Sequence, residues 1–265
     1  IIIGVKSEKA REIMVSLYKG ISRTDRPIVI TTPESAELIK YASNAMLAAR
    51  ISFMNELSHL CEKTGADIKE VAKGMGLDNR IGPRFLQAGV GYGGYCFPKD
   101  VRALIAMSKE HGCEYKIIEA VDFVNESQKI SLIPKIKKLV PELKGKTIAI
   151  WGLAFKPKTD DIREAPSILI IRELLKEEVI IKAFDPEAME NMRKLYPSIS
   201  YVATPYDALV NADLLVILTE WNEFRNPDLK RIKSLMKQHN IVDGRNIYEP
   251  DEMKKAGFNY IGVGR

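Results

Sequence analysis

The chain has 265 residues, of which 46% are hydrophobic and 28% charged, as is typical of a globular protein that buries a substantial core. Its net charge of +5 is mild and its basic residues are scattered, which argues against a nucleic-acid-binding surface and is compatible with an anionic small substrate. Three cysteines without C-x-x-C spacing argue against a disulfide framework or a metal site and fit a reducing, cytoplasmic setting, and no apolar run approaches the roughly 20 residues of a membrane span.

The first 32 residues predict a small strand–helix–strand unit. Residues 1–5 form an apolar strand that is too short for a signal peptide, Ser7 caps a helix over 8–18, and residues 28–31 follow as a second strand. Because two strands leave bare sheet edges, we expect this unit to be the end of a larger α/β domain.

Residues 33–64 predict one long helix, since apolar side chains recur at helical spacing over about 30 residues, or roughly 45 Å. Thr31 or Thr32 can cap it, and Glu34 is spaced for a capping box with Thr31. We expect this helix to link two domains and to offer a dimer face. The alternative is two shorter helices that break near Asn55.

The stretch over 89–100 reads G-V-G-Y-G-G-Y-C-F-P-K-D and combines four glycines with a cysteine. Such glycines let the backbone approach a ligand closely, and Pro98 suits the first turn of a helix over 98–109. Cys96 would then lie just outside the N-terminus of that helix. There the helix dipole and Lys99 favour a thiolate.

The same glycines spell G-x-G-x-x-G, the letter pattern of a dinucleotide-binding turn. The residues before the pattern, 83–88, do not read as a strand, and the Cys-Phe-Pro insertion interrupts the entry into the helix. We therefore expect no dinucleotide-binding turn at this point.

The rest of the chain predicts a divided helical run followed by alternating strands and helices. Pro134 should divide the run over 117–140, and 141–146 is a polar connector. The alternation from residue 147 onward predicts a Rossmann-like parallel sheet, whose ligands bind beyond the carboxyl ends of the strands. The predicted strands are 147–151, 179–184, 201–203, 214–218 and 240–242, and the predicted helices besides those named are 67–73, 167–176, 186–195, 206–210 and 228–237.

Asp185 follows the second of these strands, at the position of the ribose-binding acid of dinucleotide-binding folds. The first strand is followed by a single glycine, Gly152, so the turn that such a site requires is missing. We expect Asp185 to cap the next helix instead.

The cysteine stretch closely resembles the catalytic motif of the UDP-glucose 6-dehydrogenase family, within the wider UDP-glucose/GDP-mannose dehydrogenases. The resemblance covers essentially the whole chain. The segment E-S-A-E-L-I-K-Y-A-S-N-A at 34–45 is similar to a helix of that family with catalytic lysine and asparagine, and V-N-E-S-Q at 124–128 is also similar. The segment G-L-A-F-K-P-K-T-D-D-I-R at 152–163 is similar to the UDP-binding loop of the family.

The resemblance implies an α/β protein in three parts. These are the end of an NAD-binding α/β domain at 1–32, a central helical domain with the cysteine loop at 33–140, and a Rossmann-like UDP-sugar-binding domain at 141–265. Family members begin with an NAD-binding domain that carries a glycine-rich fingerprint. We therefore expect this sequence to be the C-terminal two-thirds of a dehydrogenase.

The resemblance also implies the site, position by position. The implied catalytic residues are Cys96, Lys40, Asn44 and Asp100. The implied substrate contacts are Lys40, Asn44, Arg80, Phe85, Gln87, Gly89, Tyr92, Gly93, Phe155, Lys156 and Arg245. Arg80 would reach across a dimer to the substrate of the neighbour, and some members carry a lysine at the position of Gln87. The implied NAD contacts are Cys96, Lys99 and Arg163.

The implied reaction is the oxidation of UDP-glucose at C6 to UDP-glucuronate with two NAD, through a thiohemiacetal and a thioester on Cys96. Lys40 and Asn44 would stabilise oxyanions, and Asp100 would position water or take a proton.

Three alternatives stay open. The first is a GDP-mannose or UDP-N-acetyl-hexosamine dehydrogenase, although Tyr92 and Tyr95 in the loop and the helix around Lys40 resemble the UDP-glucose enzymes more. The second is a non-catalytic sugar-nucleotide-binding or dimerisation module, and the third is a cysteine hydrolase, which would need a histidine base.

Overall fold

The computed structural model describes residues 1–21 and 27–265. Within these ranges the chain forms eight strands and twelve helices, arranged as a two-stranded sheet, a helical middle and a six-stranded sheet. This is the α/β fold that the sequence predicts, with a long central helix followed by a Rossmann-like parallel sheet.

The small sheet lies at the start of the chain. Strands β1 (Ile2–Gly4) and β2 (Val29–Thr31) pair in parallel, and helix α1 (Glu8–Lys19) follows the first strand. Ser7 caps α1 as predicted, because its hydroxyl accepts the backbone N–H of Ala10.

The central helix α2 (Pro33–Thr64) has 32 residues and runs through Asn55 without interruption, so the alternative of two shorter helices is wrong. Its length is about 48 Å at 1.5 Å per residue. A glycine in the left-handed conformation, Gly65, ends it. Neither α2 nor any other helix in the described part of the chain is both long and apolar enough to cross a membrane.

The N-terminus of α2 is capped by Thr32, whose hydroxyl accepts the backbone N–H of Ser35. The predicted capping box between Thr31 and Glu34 is therefore wrong. Thr31 is still part of β2, and only Thr32 has the extended backbone directly before the helix that a cap requires.

Four helices follow in the helical middle, α3 (Ile68–Gly76), α4 (Cys96–Glu110), α5 (Lys116–Lys129) and α6 (Leu132–Leu139). The run after residue 116 is divided as predicted, with Pro134 in the first turn of α6. Helix α4 begins two residues earlier than predicted, so Cys96 is its first residue rather than a residue outside it. Pro98 still lies in the first turn, where its missing N–H costs no helical hydrogen bond.

All strands of the large sheet are parallel. They are β3 (Thr147–Trp151), β4 (Ile180–Phe184), β5 (Ser200–Tyr201), β6 (Leu214–Ile217), β7 (Asn240–Asp243) and β8 (Asn259–Ile261). Their order is β5-β4-β3-β6-β7-β8, which is the order of a doubly wound dinucleotide-type fold. The direction of winding reverses between β3 and β6, and a crevice is expected beyond the carboxyl ends of these strands.

Helices α7 (Pro166–Lys176), α8 (Met189–Leu195), α9 (Pro205–Leu209), α10 (Asn222–Arg225), α11 (Leu229–Leu235) and α12 (Pro250–Lys255) connect the strands. The sequence did not predict α10, α12 and β8, which are only three to six residues long and carry too little hydrophobic periodicity.

The helical middle and the large sheet share one continuous apolar core. Met54 of α2 and Val90 before α4 pack in the same buried cluster as Leu132 of α6, Ile150 of β3 and Val242 of β7. The two parts are therefore held against each other by burial of apolar surface, which fixes the residues before α4 relative to the strand ends.

Asp185 is completely buried and holds the turn before α8. Its Oδ1 accepts two backbone N–H groups of the turn that precedes α8, at 2.9 and 2.8 Å. Its Oδ2 accepts the N–H groups of Leu153 and Ala154 and the indole N–H of Trp221. The carboxylate is engaged by these five donors. The predicted capping of the next helix is wrong, because Ala188 is the N-cap of α8 and no side chain caps that helix, whereas Asp185 holds the turn before it. Because it holds the turn over 186–188, α8 begins three residues later than predicted.

Candidate active site

A cleft of about 420 Å³ lies at the reversal point of the large sheet, beyond the carboxyl ends of β3, β6 and β7. The strand ends contribute Phe155 and Lys156 after β3, Glu220 and Arg225 after β6, and Arg245 after β7. The opposite wall comes from the helical middle and comprises Ile51, Phe85, Gln87, Ala88, Gly89, Gly91, Tyr92, Gly93 and Phe97. The cleft therefore has one cationic wall and one wall of glycines and aromatic rings.

Arg245 is the most firmly held cation of the cleft. Its side chain is only 15% exposed, and its Nε donates to the carbonyl oxygen of Leu218 at 2.8 Å and lies 3.2 Å from Oε2 of Glu220. A terminal nitrogen also donates to the carbonyl oxygen of Phe155 at 3.2 Å. The guanidinium thus bridges the ends of β3 and β6, and a planar fork in this position suits a phosphate or diphosphate.

The glycine loop, residues 89–95, is held by three buried side-chain amides. Asn125 accepts the N–H of Tyr92 at 2.8 Å and donates to its carbonyl oxygen at 3.1 Å. Asn55 accepts the N–H of Gly89 at 2.8 Å, and Gln128 donates to the carbonyl oxygen of Gly89 at 2.7 Å. The loop has no regular secondary structure, and the hydrogen bonds to these buried amides hold it in one defined conformation.

Two glycines of the loop allow it to touch the backbone of the sheet domain. A Cβ at Gly93 would lie 2.4 Å from the carbonyl oxygen of Glu164, and a Cβ at Gly94 would lie 2.7 Å from the ring of Phe155. Gly94 also has a φ of +79°, and its N–H donates to the carbonyl oxygen of Arg163 at 2.7 Å. Larger residues would separate the loop from the strand ends.

Cys96 follows the glycine loop as the first residue of α4 and is exposed. No side chain caps this end of the helix, and the N-terminus of a helix favours negative charge. The neighbouring ring of Tyr95 carries two cations, with Lys99 Nζ 5.4 Å and the Arg163 guanidinium carbon 4.7 Å from its centroid. The pKa of Arg163 is raised, first by its hydrogen bonds to Asp161 and further by Tyr95 and Cys96.

A cluster of polar side chains surrounds Asp100, one turn along α4 from Cys96. Its carboxylate is 2% exposed; Oδ2 accepts the Nδ2 hydrogen of Asn44 at 2.6 Å and lies 3.8 Å from Lys40 Nζ. Lys99 Nζ lies 2.6 Å from Oδ1, and this contact is the main cause of the raised pKa of Lys99. The sequence-predicted residues Lys40, Asn44, Lys99 and Asp100 are therefore in contact.

Eight of the eleven predicted substrate contacts line the cleft, whereas Lys40, Asn44 and Arg80 do not. Lys40 and Asn44 belong to the cluster around Asp100, and Arg80 lies apart from both. Its side chain is 89% exposed and pairs with Asp78 in the turns after α3. Cys96 lies beside the cleft, and the lining residues next to it in the chain are Gly93 and Phe97.

Sequence reasoning missed five residues that shape the site. They are the cleft residues Glu220 and Arg225 and the loop-holding amides Asn55, Asn125 and Gln128. The position of Glu220 shortly after a strand of a parallel sheet could have indicated it, whereas Arg225 at the end of the short helix α10 gives no such signal. Amides on the inner faces of α2 and α5 could have indicated the others, since a buried amide needs a backbone partner.

The residues that the sequence implied as NAD contacts come together on one exposed face. Lys99 and Arg163 there present two cations beside Cys96, which fits the anionic groups of a dinucleotide. The turn after β3 does not fit such a ligand, because a Cβ at Gly152 would lie 2.5 Å from the backbone nitrogen of Thr219. Within residues 1–21 and 27–265, the chemistry of Lys99 and Arg163 therefore fits an anionic part of NAD beside Cys96.

Two segments of the chain match models of one protein family. Residues 34–127 match the UDP-glucose/GDP-mannose dehydrogenase family, central domain, and residues 149–250 match the UDP binding domain of the same family.

Curated relatives align with the whole chain. The UDP-glucose 6-dehydrogenase of Rhizobium meliloti is 46% identical over 268 residues, and this chain covers 61% of it. The UDP-glucose 6-dehydrogenase TuaD of Bacillus subtilis is 43% identical over 265 residues, with 57% of its length covered. The chain therefore spans about 60% of the length of the curated relatives that it matches.

Solved structures give the same similarity in three dimensions. A UDP-glucose dehydrogenase from Pyrobaculum islandicum has a TM-score of 0.89 and 36% identity, with 100% of this chain and 58% of that chain covered. A UDP-D-ManNAc dehydrogenase from Pyrococcus horikoshii has a TM-score of 0.86 and 25% identity, with 100% and 59% covered.

We expect Asn125→Leu to loosen the glycine loop, because it leaves the N–H and the carbonyl oxygen of Tyr92 unpaired in a buried place. The free energy of unfolding should fall by about 2–4 kcal/mol, and amide hydrogen exchange over 89–95 should become at least about tenfold faster. Ser127→Ala is the control, since that hydroxyl bonds to the carbonyl oxygen of Phe123 on the exposed side of α5. Unchanged exchange in the Asn125 variant would contradict the role of the amide.

Proposed function

The chain belongs to the UDP-glucose/GDP-mannose dehydrogenase family, and we propose that it carries the sugar-nucleotide site and the catalytic cysteine of an NAD-dependent UDP-glucose 6-dehydrogenase. The product would be UDP-glucuronate. The observation that carries this proposal is the cationic cleft at the reversal point of the sheet, which ends at a glycine loop followed directly by Cys96.

Binding of UDP-glucose is proposed to depend on the charge of the strand-end wall. Lys156, Arg225 and Arg245 line it, and guanidinium groups suit the oxygens of a diphosphate because of their planar fork of donors. These cations would take the diphosphate, while Phe85, Phe97 and the glycine loop would pack against the sugar and the base. The glycines allow the sugar to approach the backbone next to Cys96.

The chemistry is proposed to run through the thiol of Cys96. Two NAD molecules, bound one after the other, would supply the acceptors for the two hydrides that UDP-glucose loses at C6, one hydride each. The Cys96 thiolate would add to the carbonyl carbon of the C6 aldehyde, and its S–C bond would persist in the thioester that remains after the second oxidation. Water would then add to the thioester carbonyl, and the S–C bond would break to release the carboxylate and the thiolate.

Lys40 and Asn44 are proposed to hold the oxygen that becomes negative during these steps. Both are donors, and both already contact the same carboxylate oxygen of Asp100, which fixes the orientation of the Asn44 amide. Asp100 would also accept the proton of the attacking water. Lys99 and Arg163 would hold NAD from the other side of the cysteine, because they flank the ring of Tyr95.

A homodimer is proposed along α2. Leu38, Met46, Phe53 and Leu60 are 48–63% exposed and recur every seven or eight residues, which is typical of a helix face that meets another protein surface. The exposed Arg80 would then reach the site of the neighbour. Sedimentation of the chain as a dimer is the expected result, and sedimentation as a monomer at micromolar concentration would contradict the proposal.

A non-catalytic sugar-nucleotide-binding role is the second candidate. It is favoured by the lack of a glycine-rich dinucleotide turn within residues 1–21 and 27–265, and production of NADH from UDP-glucose by the chain would exclude it. A cysteine hydrolase is disfavoured, because His59, His111 and His239 are each hydrogen-bonded to groups other than the cysteine.

Calorimetric titration tests the substrate. We expect UDP-glucose to bind at least about tenfold more tightly than GDP-mannose, a difference of about 1.4 kcal/mol.

Lys156→Met should weaken binding of UDP-glucose by about tenfold or more, because it removes one charge-assisted hydrogen bond to phosphate. Lys158→Met is the matched control, two residues along the same loop and outside the cleft lining. Tighter binding of GDP-mannose, or equal losses in both variants, would contradict the proposal.

Cys96→Ser tests the covalent step in the protein that turns over UDP-glucose. We expect UDP-glucuronate formation to slow by on the order of 10³-fold or more, because a serine hydroxyl is a much weaker nucleophile than a thiolate. Cys113→Ser removes the other exposed cysteine and should leave the rate unchanged. Undiminished formation of UDP-glucuronate by the Cys96 variant would rule out the thioester.

A further inference from the structure

A lysine is buried beneath the glycine loop. Lys129, the last residue of α5, has a side chain that is 1% exposed, and its Nζ lies 2.7 Å from Glu126 and 3.1 Å from Glu164. Its Cγ would lie 3.4 Å from a Cβ at Gly91, so the lysine stem packs against the loop. A buried ammonium group is stable only when carboxylates compensate its charge.

Glu164 connects this lysine to the helix that begins at Cys96. Its Oε1 accepts a hydrogen bond from Arg102 of α4 at 3.1 Å, and its Oε2 accepts one from Lys129 at 3.1 Å. Burial alone would raise the pKa of Glu164, but Arg102 and Lys129 together hold it below its ordinary value. Glu164 is therefore a charged carboxylate that joins α4, α5 and the loop before α7.

The backbone around Glu164 is in direct contact with the glycine loop. Its carbonyl oxygen lies against Gly93, and the carbonyl oxygen of Arg163 accepts the N–H of Gly94. Glu164 itself has a φ of +54°, a conformation that is unfavourable for a residue with a side chain. The two hydrogen-bonded cations offset the cost of this conformation and fix the carbonyl oxygens that the glycines meet.

We propose that Glu164, held by Lys129 and Arg102, is a positioning residue that couples the occupancy of the cleft to the thiol of Cys96. The loop over 152–165 carries Phe155 and Lys156 into the cleft at one end and Glu164 at the other. A sugar nucleotide that orders this loop would fix the position of Glu164 and, through it, the positions of Gly93 and Gly94. Because Cys96 follows these glycines, the position of its thiol would change as well. This inference rests on the proposed binding of UDP-glucose in the cleft.

The test measures alkylation of cysteines by iodoacetamide, with and without saturating UDP-glucose, by mass spectrometry. Cys113 is the internal reference, because it is exposed and lies beyond the other end of α4. The variant Glu164→Gln keeps the size of the side chain and removes its charge. The control Glu178→Gln removes a carboxylate that also has a φ of +54° but pairs with Lys144 at the surface. Calorimetry on every protein measures the affinity for UDP-glucose.

In the unaltered chain and in the Glu178 variant, UDP-glucose should lower the alkylation rate of Cys96 relative to Cys113 by about tenfold or more. In the Glu164 variant the change should fall to about twofold, while the affinity for UDP-glucose stays within about threefold. Lys129→Met should give the same loss of coupling, since it removes the ammonium group that pairs with Glu164. If Glu164 had a purely structural role, its loss would lower the affinity for UDP-glucose together with the effect of UDP-glucose on Cys96.

Two results would overturn the inference, and they differ. If UDP-glucose protects Cys96 equally in the Glu164 variant and in the unaltered chain, Glu164 has no positioning role and the proposed function stands. If the unaltered chain does not bind UDP-glucose, the proposed function fails and the inference fails with it.

Discussion

The site depends on a contact between two stretches of backbone, the glycine loop of the helical middle and the segment that precedes α7. Gly93 lies against a carbonyl oxygen of that segment, and Gly94 donates its N–H to another. A contact of this kind has no side chain to absorb an error in position, so both partners must be fixed independently. On one side the buried amides on α2 and α5 fix the loop. On the other side the ion pairs of Glu164 and the shared apolar core fix the sheet domain.

This arrangement separates binding from chemistry. The cations of the cleft belong to the strand ends of the large sheet, where Arg245 is anchored to two carbonyl oxygens. The proposed nucleophile, Cys96, and the donors that would stabilise an oxyanion belong to α4 and α2, around the buried carboxylate of Asp100. The glycine loop lies between the two sets. A substrate that fills the cleft would therefore bring its sugar to the cysteine only if the loop keeps its position. The residues that hold the loop would then matter for the reaction as much as the reacting groups themselves.

Much of the fold could be predicted from the sequence, because long elements carry their own signals. The 32 residues of α2 have consistent helical spacing and end at a glycine, and β3 has the predicted bounds. The short elements and the exact caps could not be predicted. For α2, Thr31 and Thr32 are identical residue types, and only the structure shows that the strand ends at Thr31 and that Thr32 is the cap. The cluster around Asp100 was predicted through resemblance. The network of Lys129 was not, because its partner in the sheet domain is 35 residues away and no local pattern brings the two together.

The proposed function is tested most directly by a crystal structure of this chain with UDP-glucose. We expect a diphosphate on Arg245 and Lys156 in the cleft, with C6 of the sugar about 3–3.5 Å from the sulfur of Cys96. A sugar that points away from Cys96 would contradict the proposed function, as would a nucleotide bound in the open groove between Asp161 and Lys194 on the other side of the loop.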